Sequence, residues 1–222
     1  MQKFDTPAPI TAVLDIPAGR IRFIAADRAD TTVEVLPVNA SNGRDVKAAE
    51  QATVGYVAGV LRIEAPAARH QYFGPSGSIE VTVELPAGSR VEAKASFAEF
   101  RGVGRLGDVA CEAFGAVEID EAASVRVAAY VGDVTVGRLT GPAEISTHKA
   151  SIHIAEASAD TVVLRTHMGD VTVGATHGVS ASLDAGTRYG RIHNALKNTE
   201  GAAAGLTIHA TTDHGDIVAQ SL

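Results

Sequence analysis

The chain of 222 residues is long enough for one extended domain or two small ones with a substantial core. Its hydrophobic fraction of 45% and charged fraction of 20% are typical of globular domains and exclude a mostly disordered chain. The net charge of -7 and the aromatic fraction of 5% argue against a nucleic-acid-binding protein, which needs a basic surface and rings for base stacking.

The sequence has no pattern typical of a membrane or secreted protein. No apolar run approaches the ~20 residues that cross a bilayer, so we expect no membrane insertion. The first residues lack the apolar stretch and cleavage site of a signal peptide, which predicts a cytoplasmic location and leaves a surface role open. The single cysteine, Cys111, excludes a disulfide framework and a cysteine-based zinc site.

Residues 1–90 predict an irregular β region. Alternating apolar and polar residues predict strands at 12–16, 32–36, 59–64 and 79–85, with a corner at Gly19-Arg20-Ile21. Residues 42–51 are compatible with a short helix, and the glycine and proline in residues 67–77 predict a loop. The unpaired strand edges at the ends of a stacked β structure can pair with strands of other chains. We therefore expect residues 1–90 to cap the remainder, residues 91–222.

From residue 91 onward the sequence repeats a three-residue pattern. A small residue, a usually polar residue and a large apolar residue recur, with third positions 17 to 25 residues apart. The triplets begin at Ala98, Gly115, Gly132, Ala150, Gly169, Gly190 and Gly215. Period-two alternation on both sides of each triplet predicts two short strands per repeat, joined by a corner at the triplet.

The repeat predicts the fold class. A unit with two short strands cannot bury its apolar face alone, but such units can when they stack ~4.8 Å apart. We therefore predict an all-β fold, a parallel β-solenoid with two short strands per rung of about 17–20 residues and an irregular N-terminal β cap. Glycine supplies the corner conformation, and the aspartate after it bonds local backbone amides. An all-β sandwich is the alternative, although its hairpins would not keep one triplet in register so often.

Three motifs resemble a known family. They are Gly-Arg-Ile-Arg-Phe at 19–23, Val-Glu-Leu-Pro-Ala-Gly-Ser at 83–89, and Gly-Asp-Val-Thr-Val at 132–136 and 169–173. The chain is similar, from about residue 10 to its last residue, to the bacterial β-strand-repeat domain of unknown function labelled putative adhesin. The resemblance implies the β-repeat fold and, from the family's name, binding at a cell surface, and it implies no catalytic residues.

Side chains at matching positions of the repeats are expected to line up in outward columns. One column on the first strands contains Tyr130, His148, His167 and Arg188, with Asp213 as a further member. The corner column contains Asp133, Ser151, Asp170, Arg191 and Asp216, and a column two residues further on contains Thr135, His153, Thr172 and His193. We predict a binding surface of Tyr130, Asp133, His148, His153, Arg165, His167, Asp170, Arg188 and His193.

Two chemical alternatives use the same columns. His148 and His167 lie on adjacent predicted rungs, where two imidazoles are close enough to share a metal ion, but no carboxylate is evident as a third ligand. Asp133 and Asp170 lie two predicted rungs apart, about 9.6 Å, a separation near that of inverting glycosidases. Nothing in the surrounding sequence predicts that either carboxyl has a raised pKa.

The sequence therefore predicts a non-enzymatic scaffold or binding module without a cofactor. It is expected to present a flat polar surface to a protein or cell-envelope partner, and a homodimer through a solenoid edge is a further expected assembly. The alternative is a metal-binding sensor or a carbohydrate-active enzyme that uses the exposed histidine and aspartate columns.

Overall fold

The computed structural model describes residues 1–65 and 77–222, in two compact units, Met1–Phe114 and Gly115–Leu222. Both units consist mainly of β-strands, so the predicted all-β class is confirmed. Strand pairing is mixed, because the first unit contains antiparallel pairs, and mixed pairing does not establish the predicted parallel solenoid. The predicted loop at 67–77 falls almost wholly outside the described residues, and the predicted division at residue 90 stays a prediction.

In its described residues the first unit contains one helix, α1 (Gly43–Gln51), and the strands β1 (Gln2–Asp5), β2 (Thr11–Ala26), β3 (Asp30–Pro37), β4 (Thr53–Val57), β5 (Val60–Glu64), β6 (Ile79–Pro86) and β7 (Arg90–Ala113). The long strand β2 runs parallel to β7 on one side and to β5 and β6 on the other. Strand β3 pairs antiparallel with β1 and β6, and β4 pairs antiparallel with β5. The predicted strands and helix of this region are present, whereas β1 and β4 were missed.

The predicted corner of the first unit lies where β2 and β7 run side by side. Their register aligns Gly19 with Ala98 and Ile21 with Phe100, as the triplet pattern predicts. Gly19 has a φ of +139°, and a Cβ atom there would lie 1.7 Å from the Ile79 carbonyl oxygen. The rings of Phe23 and Phe100 pack 5.8 Å apart in the core beside this corner. Only glycine therefore fits at this crossing.

The second unit contains the strands β8 (Val117–Val131), β9 (Val134–Leu139), β10 (Ala143–Lys149), β11 (Ile152–Ala157), β12 (Asp160–Met168), β13 (Val171–Ala175), β14 (Ala181–Tyr189), β15 (Ile192–Ala195), β16 (Leu206–His214) and β17 (Ile217–Ser221), with a 3-10 turn at Gly201–Ala203. Its described strand pairs are all parallel. Each pair joins two strands that precede the corner in different repeats, or two strands that follow it. Two layers result, because each repeat contributes one strand to each layer.

The order of strands within the two layers differs from their order in the chain. One layer runs from the second half of β8 through β10, β12, β16 and β14, and the other runs from the first half of β8 through β9, β11, β13, β17 and β15. The last repeat, β16 with β17, therefore lies between the repeats β12 with β13 and β14 with β15. Columns read in chain order place His167 beside Arg188, and this order is wrong because Asp213 lies between them.

Inward side chains of the second unit form rows of small apolar groups and threonines. Val127, Ile145 and Leu164 are adjacent across β8, β10 and β12, and each is almost fully buried. One row contains buried threonines, whose hydroxyl groups need partners. Thr166 Oγ1 donates to the Ala150 carbonyl at 2.9 Å, and Thr212 Oγ1 donates to the Gly169 carbonyl at 3.0 Å. These bonds satisfy each hydroxyl with a corner carbonyl of the neighbouring repeat.

The corners stack as closely as the strands. Gly215 has a φ of +151°, and a Cβ atom there would lie 2.0 Å from the Gly169 carbonyl oxygen. The residue after each corner glycine or alanine forms what we call the corner ladder, Asp133, Ser151, Asp170, Asp216 and Arg191. Each acceptor side chain of this ladder takes a hydrogen bond from the backbone N–H of the next member, at 2.8 to 3.2 Å. The Gly-Asp motif is thereby explained as an element that joins neighbouring repeats.

Candidate functional site

The outward side of the layer β8, β10, β12, β16, β14 carries the largest set of predicted site residues, and we call it the ladder face. Strand register aligns five of its side chains in one row, in the order Tyr130, His148, His167, Asp213 and Arg188. The rings of Tyr130 and His148 stack with centroids 4.8 Å apart and planes 17° apart. The ring of His148 is 4.9 Å from that of His167. The row therefore presents a continuous aromatic and imidazole surface, which is followed by the charged residues Asp213 and Arg188.

Within this row, His167 and Asp213 form a hydrogen-bonded pair. His167 Nδ1 donates to Asp213 Oδ2 at 2.8 Å, and both side chains are about half exposed. This hydrogen bond is the main cause that lowers the pKa of Asp213 below its ordinary value, and the nearby charge of Arg188 acts in the same direction. The hydrogen bond to Asp213 engages the Nδ1 edge of the exposed His167 ring.

His148 differs from its neighbours because one of its ring nitrogens is unsatisfied. Its Nδ1 atom is buried and has no hydrogen-bond partner, although the ring as a whole is only half-buried. Within residues 1–65 and 77–222, no group of three or more His, Cys, Asp or Glu side chains is placed to hold a metal ion. The described residues bring His148 and His167 together, as the sequence predicts, but as a pair.

The ladder face also carries a cluster of opposite charges, in which Arg165 lies one strand over and two residues further along than Glu144. Glu144 lies between Arg126, at 3.5 Å, and Arg165, at 3.8 Å. All three side chains are more than half exposed, so these pairs contribute little to folding stability. The predicted site residue Arg165 therefore keeps most of its guanidinium surface available to a partner.

Asp133 and Asp170 lie at the corners, where their carboxylates are engaged by the backbone. Asp133 Oδ1 accepts the Ser151 N–H at 2.9 Å, and Asp170 Oδ1 accepts the Asp216 N–H at 2.8 Å. These bonds give both carboxylates a structural role in the corner ladder.

The remaining two predicted residues lie on the other layer. His153 is on β11 and His193 is on β15, and register places Thr172 and Val218 between them in one outward row. The structure therefore does not bring these two histidines next to each other.

Two exposed features of the described residues were not predicted. In the second unit, His209 Nδ1 lies 3.3 Å from Asp184 Oδ2, because β16 is inserted beside β14. In the first unit, the exposed ring of Phe97 packs against Phe114 with centroids 4.9 Å apart. The outward parity of Phe97 could have identified the second feature, whereas the first depends on the strand order.

No helix of the described residues is both long enough and apolar enough to cross a membrane.

No protein-family model matches the chain. No curated protein matches it either. Solved bacterial structures do resemble it. A putative cell adhesion protein from Clostridium sporogenes is 12% identical with a TM-score of 0.44, over 100% of this chain and 98% of that one. A putative adhesin from Parabacteroides distasonis is 12% identical with a TM-score of 0.48, over 98% of this chain and 95% of that one.

A putative adhesin from Bacteroides fragilis is 14% identical, with a TM-score of 0.50 over 98% of this chain and 95% of that one. At this identity the likeness concerns the fold alone. It confirms the resemblance that the sequence motifs predict, namely that this chain is similar to bacterial proteins described as putative adhesins.

Proposed function

We propose that this chain is a non-enzymatic binding module, built as a β-solenoid in its second unit, whose ladder face binds a protein or other component of a bacterial cell envelope. Parallel pairing between like strands, and corners that bond one repeat to the next, support the solenoid interpretation. The fold shared with a protein described as a putative adhesin supports a binding role.

The observation that carries the proposal is the outward row on the ladder face. Tyr130 and His148 supply stacked rings, and Tyr130 is 47% exposed. Rings of this kind supply large contact area with little loss of side-chain freedom on binding. Arg165, one row away, adds a cation that is suited to carboxylate or phosphate groups. Aromatic and arginine side chains are the residue types that most often dominate binding energy.

The absence of enzymatic activity is part of this proposal and is supported by how the reactive groups are used. The corner carboxylates of Asp133 and Asp170 accept backbone N–H groups. The thiol of Cys111 is buried in the first unit, and burial raises its pKa to about 12. These groups are thus occupied or shielded, whereas nucleophilic and acid-base catalysis require accessible ones.

The proposal is tested by cosedimentation of the purified chain with purified bacterial cell envelopes. The double variant Tyr130→Ala with Arg165→Glu should bind at least about tenfold more weakly than the natural chain, because it removes one aromatic contact and reverses one charge. Arg188 is left unchanged, since it lies on β14, the last strand of this layer.

The matched control is Arg62→Glu, on β5 of the first unit, whose side chain is as exposed as that of Arg165. This control should bind like the natural chain. No sedimentation of the natural chain with envelopes, or equal binding by the double variant, would refute the assignment of the ladder face.

A further inference from the structure

Strand β14 pairs with a strand on one edge only, and within the described part of the second unit its other edge has no strand partner from Leu183 onward. Its described pairing partner is β16, across the register from Ala181 with Leu206 to Tyr189 with His214. At this end of the second unit a core position also becomes exposed, since Ile192 of the adjoining β15 is 46% exposed whereas Ile217, its partner on β17, is 1% exposed. An open strand with an adjacent apolar surface is a template for pairing with another strand.

The hydrogen bonds at the start of β14 show which of its residues face the open edge. Leu206 N–H donates to the Ser180 carbonyl at 3.2 Å, which directs even-numbered residues toward β16. Ala181 N–H bonds away from β16, to the Lys197 carbonyl at 3.1 Å. By this alternation, the backbone N–H and C=O groups of Leu183, Ala185 and Thr187 point to the open edge.

We propose that β14 pairs antiparallel with β14 of a second copy of this chain, about a twofold axis at Gly186. In this register Ala185 lies opposite Thr187 of the second copy, and these two residues exchange their outward-directed backbone hydrogen bonds. Gly186 lies opposite its own copy, where the absence of side chains permits close approach. The proposal goes beyond the envelope-binding function, since self-pairing requires no other partner.

Charge selects this register over its neighbours. With the axis at Gly186, Asp184 lies opposite Arg188 of the second copy, twice, on the outward face. These positions belong to pairs that are not hydrogen-bonded to each other, in which facing side chains come closest. An axis at Asp184 or at Arg188 would place like charges opposite each other, and an axis at Ala185 would leave both charges without an opposite partner.

Both charged side chains are available for this contact. The Asp184 side chain is 83% exposed, and its 3.3 Å contact with His209 is an exposed one that costs little to break. Arg188 is exposed at the opposite end of the same strand.

The test is sedimentation equilibrium of the full chain from micromolar to millimolar concentration. The natural chain should dimerise, whereas Asp184→Arg alone and Arg188→Asp alone should each associate at least about tenfold more weakly, because each places two like-charge pairs in the interface. An equimolar mixture of these two variants should recover the dimer, because every facing pair then becomes one Arg with one Asp.

The control is Thr211→Arg, which adds a charge on β16 directly beside Gly186 but one strand inside the edge. It should dimerise like the natural chain. A monomeric natural chain would overturn the proposal and identify the two charges as residues that protect the edge from association. Undiminished dimers of the single variants, or a mixture that stays monomeric, would overturn the register. Recovery in the mixture also excludes misfolding as the cause of the loss.

Discussion

Cys111 illustrates how burial decides the chemistry of a residue in this chain. Its side chain lies on the inward face of β7 and is 3% exposed. Desolvation raises the pKa of the thiol to about 12, because the thiolate would have to be accommodated in an apolar core. The sequence predicts this from parity alone, since Val109, Cys111 and Ala113 share the parity opposite to that of Asp108 and Glu112. In the fold, Cys111 acts as a small apolar group.

We expect the native chain to resist modification by a thiol reagent such as dithiobis-nitrobenzoate at neutral pH. After unfolding in guanidinium chloride, one thiol per chain should react within the mixing time, because the cysteine is then solvated and has its ordinary pKa. Absorbance of the released thiolate measures both rates. Rapid reaction of the native chain would show that β7 opens locally or that Cys111 is not in the core.

At the scale of the element, the corner ladder shows why Gly-Asp recurs in the sequence. The aspartate side chain accepts a backbone N–H that lies in the neighbouring repeat rather than in its own turn. Arg191 occupies the last position, where its own N–H is bonded by Asp216 but no acceptor side chain is required of it. The carboxylates at the corners are thus part of what keeps the repeats in register.

Asp170→Ala should therefore destabilise the chain by about 1 kcal/mol, because the Asp216 N–H loses its acceptor. Asp170→Asn should lose much less stability, since the amide oxygen can accept the same hydrogen bond. Urea unfolding followed by far-ultraviolet circular dichroism measures the difference. Equal losses for the two variants would show that the charge of Asp170 matters rather than the hydrogen bond.

The sequence predicts the strands and corners of the repeats well but not the order in which the repeats pack. Period-two alternation assigns inward and outward faces correctly, and the triplets align His148 with His167 as the structure does. Every repeat carries nearly the same apolar rows, so hydrophobic pattern cannot distinguish one docking order from another. The packing order could have been predicted from Arg191. An arginine side chain cannot accept the backbone N–H of a following repeat, so the repeat that contains it belongs at the end of the corner ladder.

Across the whole molecule, most described ion pairs join well-exposed side chains and contribute little to stability. A network in the first unit is an exception, because the Arg28 side chain is only 20% exposed. Arg28 binds both Asp30, at 2.7 Å, and Glu84, and Thr32 Oγ1 also donates to Glu84. This network joins the start of β3 to β6, and both of its carboxyl groups have lowered pKa values.

The network predicts a defined loss of stability in acid. Hydrogen bonds from Arg28 and then Lys3 lower the pKa of Asp30 from its ordinary value of 3.8 to about 2. A lowered pKa stabilises the folded state above the ordinary value, and this contribution is lost as the pH falls from near 3.8 to about 2. Asp30→Asn should therefore be less stable than the natural chain at pH 7 and nearly equal to it near pH 2.

Urea unfolding of both proteins across this pH range measures the effect. A constant stability difference between them at every pH would mean that Asp30 is not held in its ionised form by Arg28.

The insertion of β16 with β17 inside the second unit also constrains how this chain folds during translation. Strands β14 and β15 emerge from the ribosome before the strands on which they dock. Repeats from β8 to β13 can add one after another as they are synthesised. Strands β14 and β15 can dock only after β16 and β17 have been synthesised and have paired with β12 and β13. The nascent chain thus holds residues 181–195 undocked for a time, and during that interval they are most exposed to proteases and to pairing with neighbouring nascent chains.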